Sequence, residues 1–138
     1  MRSVRTLFAV VALIGFVLTA GSSAQLSLAA AGLQLQTNPI PTSDDSVKAG
    51  RSVYVRFCAS CHGRQGKGDG TGAPKGSKPG NLVTGQWKHG GSDAEIFKTI
   101  KEGIGPAFEM KPQAEKLSDD DIWNTVNFLR DLAKHATK

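Results

Sequence analysis

Cys58-Ala59-Ser60-Cys61-His62, which opens the longer run CASCHGRQGKGDGTGAP ending at Pro74, decides how the rest of the chain is read. Two cysteines three positions apart near the end of a helix project from the same side. Both sulfurs can therefore reach the two vinyl groups along one edge of a porphyrin. The next residue projects over the ring, where an imidazole nitrogen can bind the iron. C-x-x-C-H is accordingly the attachment pattern of c-type haem, with one haem held by Cys58 and Cys61 and ligated by His62. Covalent attachment also keeps the cofactor from being lost in a dilute external compartment.

Three other readings compete, and each lacks something. A zinc site needs about four ligands, and with only two cysteines in the chain the further candidates are His89, His135 and scattered carboxylates. A thioredoxin-type dithiol needs a βαβ framework around the motif, which this sequence does not offer. A structural disulfide between residues three apart closes so small a loop that it stabilises little by the chain-entropy account.

The iron's sixth position is easy to audit, because Met1 and Met110 are the only methionines. Met110 stands between Pro106 and Pro112, flanked by Glu109 and Lys111, and is the expected second axial ligand. The alternative is a methionine that fills a gap in the core.

Outward from the motif, Ser43 or Asp44 can cap a helix running to about Ser60, with Val47, Tyr54, Phe57, Cys58 and Cys61 recurring at spacings near three and four. From Gly63 to Gly91, ten residues are glycine, and the only large apolar side chains are Leu82, Val83 and Trp87. Such a stretch neither propagates a helix cheaply nor buries much surface of its own. Ser92 and Glu95 form a capping box for a second helix, with Ile96, Phe97 and Ile100 inward and Gly103 as its stop. Ser118 and Asp121 form another, and in the last helix Ile122, Val126 and Leu129 make a stripe that Phe128 and Leu132 broaden. No confident strand and no repeat is found, so the expected class is all-α, three to five helices around one haem. A core this small usually needs a staple such as a prosthetic group.

Arg2 and Arg5, the apolar stretch from Leu7 to Ala20, and small residues at Ser22 and Ala24 form the three parts of a secretory signal over 1–24. The competing reading is an uncleaved anchor extending through Leu26 and Leu28 to Ala31. Gly21, Ser22, Ser23, Gln25 and Ser27 would make its second half a poor lipid-facing helix. Either way the remainder is delivered outside the cytoplasmic membrane. Residues 25–43, uncharged until the end and carrying Pro39 and Pro41, read as a flexible arm, and 44–138 as the folded domain. The chain's 138 residues carry a net charge of +5, which becomes +3 without Arg2 and Arg5. With basic residues scattered among glycines, this is no nucleic-acid footprint, and a protein partner with an acidic docking surface is expected instead.

From 44 to 138 the chain resembles class I c-type cytochromes, particularly small bacterial periplasmic monohaem ones. The resemblance rests on the CASCHGRQGKGDGTGAP run, on WKHGGSDAEIFKTIKEGI at 87–104, and on LSDDDIWNTVNFLRDL at 117–132. It implies a cytochrome c fold whose first and last helices cross near Gly50, Tyr54 and Phe128, with haem between them and the methionine loop. Its implied role is one-electron transfer between redox partners in a respiratory or dehydrogenase chain, as a free carrier or as the haem-bearing subunit of a periplasmic oxidoreductase complex. It further implies that Pro74 offers its carbonyl to the second nitrogen of His62, the alternative being an ordinary turn proline, and that Asn81 and Trp87 hydrogen-bond the haem propionates, the alternative for Trp87 being packing. His89 and His135 read as surface histidines. One departure concerns the loop: many relatives carry Met-Pro after I-x-G-T, whereas this chain reads Ile104-Gly105-Pro106-Ala107-Phe108-Glu109-Met110-Lys111-Pro112.

Overall fold

The computed structural model describes residues 37–107 and 109–136. The signal expected over 1–24 and most of the expected arm lie outside the described residues. Among the described residues four helices follow one another: α1 (Asp44–Phe57), α2 (Ala59–His62), α3 (Asp93–Glu102) and α4 (Asp119–Ala136). Among the described residues there is no strand, only an isolated antiparallel bridge between Ile104 and Met110. The class is all-α, as expected.

The helix starts follow local chemistry. Ser43 Oγ accepts from the Ser46 amide at 3.2 Å and closes a capping box with Ser46. Ser92 and Glu95 do the same for α3, which Gly103 terminates. Ser118 Oγ accepts from the Asp121 amide at 3.1 Å, and the Ser118 amide donates to the Asp121 carboxylate at 3.1 Å. Each box satisfies amide groups that the first helical turn leaves without partners. The first helix ends earlier than the expected Ser60. At Cys58 the backbone turns to φ −117°, ψ −38°, and α2 continues as a separate turn. That offset brings the Gly63 carbonyl to the hydroxyl of fully buried Tyr54, which donates to it at 2.7 Å.

α1 crosses α4 where no side chain intervenes. A Cβ on Gly50 would collide with the carbonyl of Asn124 and lie 2.9 Å from Phe128 Cβ, so only glycine permits this approach. One turn on, the Tyr54 and Phe128 rings meet with centroids 5.2 Å apart at 50°, an attractive edge-to-face inclination. α3 packs on the same helix through Phe97 and Trp123, stacked at 4.1 Å. Ile96, Ile100, Ile122, Val126 and Leu129 complete the core.

The arm is not loose where it meets the domain. Asn127, 2% exposed on α4, donates through Nδ2 to the Ile40 carbonyl at 3.0 Å and to Ser46 Oγ at 2.9 Å. Its Oδ1 accepts from Asn38 Nδ2 at 2.9 Å and from Thr42 Oγ1 at 3.1 Å, and Asn38 also donates to the Trp123 carbonyl. All four hydrogen-bonding positions of the Asn127 amide are used, which a buried amide requires. Asn38, Ile40 and Thr42, at the end of the arm expected over 25–43, are thus hydrogen-bonded to α4. The pairing spans more than eighty positions and leaves no local pattern to read. Asn127→Ala should strand the Ile40 carbonyl and remove one partner each from Asn38, Thr42 and Ser46, of which Asn38 keeps the Trp123 carbonyl and Ser46 the Ser43 amide. A loss of about 2–3 kcal/mol is expected, read as a melting point lower by roughly 10–15 °C. A change within experimental error would show the network to be dispensable.

Candidate functional site

The cysteine turn is held from several directions. The amide of Gly68 donates to the His62 carbonyl at 2.8 Å, and that of Gly72 to the Ser60 carbonyl at 2.9 Å. The glycine-rich segment thus folds back over α2, and Leu82 returns to it through its amide on the Gly66 carbonyl at 2.7 Å. A cavity of about 720 Å³ opens beside this turn, within the range of a site for a large organic ligand.

Cys58, Cys61, His62 and Met110 all line this one cavity. Tyr54, Leu82, Trp87, Ile96, Ile100 and Leu129 supply apolar walls. Residues 52 positions apart in sequence, 58 and 110, thereby come to face the same space. Phe57, 36% exposed, stands at its edge.

The Nδ1 of His62 lies 3.2 Å from the Gly80 carbonyl. Since a carbonyl only accepts, Nδ1 carries the proton and Nε2 presents its lone pair. Burial pulls the His62 pKa below the ordinary value, and the Gly80 bond opposes that only in part. The imidazole is therefore neutral near pH 7, the form a metal ligand must have. Of the two readings of Pro74, the structure shows the turn proline. Its carbonyl is engaged by the Ser77 amide at 2.9 Å and the Ser77 hydroxyl at 2.7 Å. The chain beyond Pro74 instead turns back, and Gly80 reaches the ring.

Cys58 and Cys61 are not joined to each other by a disulfide. Burial, with a smaller contribution from Cys61, pushes the Cys58 thiol up to about 12. A redox dithiol needs the opposite, a thiolate favoured near neutral pH. Among the described residues no three His, Cys, Asp or Glu side chains converge as a tetrahedral zinc site requires. An apolar slot with paired thiols at one edge and a neutral, oriented imidazole beside them fits a covalently bound haem.

Asn81 and Trp87 both line the cavity. Asn81 Oδ1 is occupied by the Val83 amide at 3.0 Å, while the Trp87 ring lies under Arg130, whose Cζ is 5.9 Å from its centroid. His89 is exposed, as expected, yet stands on the cavity rim, whereas His135 lies at the end of α4 beside Asp131. Sequence reasoning missed Gly80, whose role is a backbone one. It also missed Thr125, a fully buried wall residue whose hydroxyl donates to the Asp121 carbonyl at 2.8 Å.

Residues 45–129 match the family model described as cytochrome c oxidase, cbb3-type, subunit III. The chain is 32% identical over 102 residues to the cbb3-type cytochrome c oxidase subunit CcoP of Azospirillum brasilense, covering 71% of this chain and 32% of that protein. It is 38% identical over 104 residues to a CcoP of Rhodobacter capsulatus, covering 71% and 33%. The chain thus spans about a third of the length of these curated relatives. Among solved structures it is similar to a chain of the reducing HAO-like protein complex of Kuenenia stuttgartiensis, with a TM-score of 0.62 at 28% identity, covering 68% of this chain and 46% of that one. It is also similar to cytochrome cL of Methylophaga aminisulfidivorans, with a TM-score of 0.53 at 26% identity, covering 67% and 61%. With the match running from the first helix through most of the last, the chain belongs to the family of cytochrome c oxidase, cbb3-type, subunit III, and is a c-type cytochrome that carries covalently bound haem c and transfers electrons.

Proposed function

We propose that this cytochrome is a monohaem one-electron carrier in which Cys58 and Cys61 would bond the haem covalently and His62 and Met110 would ligate its iron. The observation that carries this reading is the single cavity lined by all four residues, with His62 already held in the ligating tautomer by Gly80. The haem supplies one-electron Fe(II)/Fe(III) chemistry. His62 would donate from Nε2 while its Nδ1–H stays on the Gly80 carbonyl, a bond that fixes the ring and raises its basicity. The soft thioether of Met110 would favour the ferrous state and raise the potential. Leu82, Ile100 and Leu129 keep water from the buried face, which works in the same direction.

An optical spectrum with an intact mass, taken on protein matured in a host that attaches c-type haem, tests the reading. A one-haem increment in mass, a reduced low-spin spectrum and a one-electron redox titration are expected. A colourless protein with the mass of the bare polypeptide sinks the proposal.

The basic opening at Arg2 and Arg5 followed by an apolar stretch supports export, so the domain works in the periplasm, either free or N-terminally anchored. Among the described residues no helix is long and apolar enough to cross a membrane. Arg64, Lys67, Lys75, Lys78 and Lys111 are all exposed, and Lys78 and Lys111 border the cavity. Arg56, Lys88 and Lys116 also line it. This rim steers docking onto an acidic redox partner. The second-order rate of electron exchange with such a partner should therefore fall as salt is raised from about 10 mM to 150 mM, where the screening length shrinks from about 30 to 8 Å. A rate indifferent to salt removes the steering role.

A second reading, a haem-bearing subunit of an oxidoreductase complex, is favoured by the oxidase-subunit names of the relatives. Isolation of the native protein under mild conditions separates the two, since a subunit migrates with its complex and a carrier migrates alone.

A further inference from the structure

The side chain of Met110 enters the cavity from a loop whose backbone is tied to the end of α3. The Ile104 amide donates to the Met110 carbonyl at 2.8 Å, and the two residues form the isolated bridge. Beyond Met110 the chain continues onto α3, with the Gln113 amide on the Ile100 carbonyl at 3.1 Å and the Ala114 amide on the Lys101 carbonyl at 3.3 Å. Gly103 lies between these attachments. Its amide still bonds the Thr99 carbonyl at 2.9 Å, but its backbone turns to φ +76°, ψ −170°, a conformation that L side chains rarely adopt. A Cβ there would stand 2.5 Å from the Met110 carbonyl oxygen, 2.7 Å from Pro112 N and 2.9 Å from Pro112 Cδ. The 110–112 strand therefore passes directly over Gly103 with no room for a side chain. Ile104 and Met110 line the cavity, whereas Gly103 is not among its lining residues.

We infer that Gly103 is the positioning residue for the sixth ligand: by letting the 110–112 backbone close onto the end of α3, it sets how far the Met110 sulfur reaches into the haem cavity. The inference rests on Met110 being that ligand. Any side chain at 103 has to lift the strand, because the atoms it meets are backbone and ring rather than the flexible end of a side chain. Met110 then moves with its own carbonyl. Gly105, two residues on, offers a control inside the same loop, since a Cβ there would meet nothing within 4 Å.

The test uses haem-loaded Gly103→Ala, Gly105→Ala and Pro112→Ala, with carbon monoxide uptake by the ferrous protein and the midpoint potential as readouts. A purely structural role would lower the melting point and leave both unchanged. Gly103→Ala should take up carbon monoxide at least tenfold faster than the parent and show a lower potential, and Gly105→Ala should match the parent. Pro112→Ala introduces no collision and loosens the same strand, so it should show a smaller shift in the same direction. It decides the matter if Gly103→Ala does not accumulate. Parental uptake and potential in whichever of the Gly103 and Pro112 variants accumulate, or an equal effect from Gly105→Ala, overturns the inference. Met110→Ala separates this failure from the other: if it too behaves as the parent, the ligand assignment has fallen and not merely the role of Gly103.

Discussion

Replacing both Cys58 and Cys61 with alanine should abolish the covalent haem increment in a denaturing mass measurement and, with it, most of the cooperative fold. The second half follows from the size of the cavity. Voids left in a core cost stability in proportion to their volume, and about 720 Å³ is far more than a single side-chain deletion leaves behind. Water can enter this open cavity. Wetting walls made by Leu82, Trp87, Ile96, Ile100 and Leu129 forfeits much of the same energy. Without its haem the chain must therefore flood or collapse. Far-UV helicity should fall substantially, and the sharp melting transition should broaden toward that of a loosely packed state. A double variant that keeps parental helicity and melts as cooperatively as the haem protein would show that the polypeptide carries its own core.

The helices and their caps were legible in the sequence because their causes are local. Ser92 with Glu95, and Ser118 with Asp121, are spaced three apart, and the structure forms both boxes. Ile96, Phe97 and Ile100 are buried at helical spacing. The crossing at Gly50, Tyr54 and Phe128 came from resemblance, and the collision that a Cβ at Gly50 would cause supplies its physical reason. Less legible were contacts that join distant backbone. Gly80 reaches His62 through a carbonyl that every residue possesses, so no side-chain pattern could single it out over Pro74. Asn127 reads in the sequence as one polar residue between Val126 and Phe128. Only the folded chain shows Asn38, Ile40, Thr42 and Ser46 converging on it. The early end of α1 at Phe57 accompanies the bond from Tyr54 to Gly63, which forms only once the turn has closed. The cavity residues share one explanation: the motif predicts what binds, and tertiary packing decides which walls enclose it.

Met110→Ala should convert a closed site into one that binds an external ligand, and should lower the midpoint potential. With Met110 as the proposed ligand, a molecule entering the parent's site would have to wait for the thioether to leave. A minor open state populated at about 1% holds back apparent binding by on the order of a hundredfold, and removing the side chain lifts that restraint. Carbon monoxide uptake by the ferrous variant should accelerate accordingly. The potential responds because the thioether binds ferrous iron more tightly than ferric. For a one-electron couple each tenfold difference in affinity is about 59 mV, so a preference of two orders of magnitude corresponds to a fall of roughly 120 mV. Met110 is half-buried and packs against the core, so truncation alone costs stability, and a lower melting point cannot distinguish a ligand from a gap-filling side chain. Carbon monoxide uptake and potential can. A core methionine with no bond to iron would leave the parent already open, and Met110→Ala would change neither quantity. Rapid carbon monoxide binding by the unaltered ferrous protein would by itself reassign the site to one with a vacant coordination position and move the reading from carrier toward enzyme.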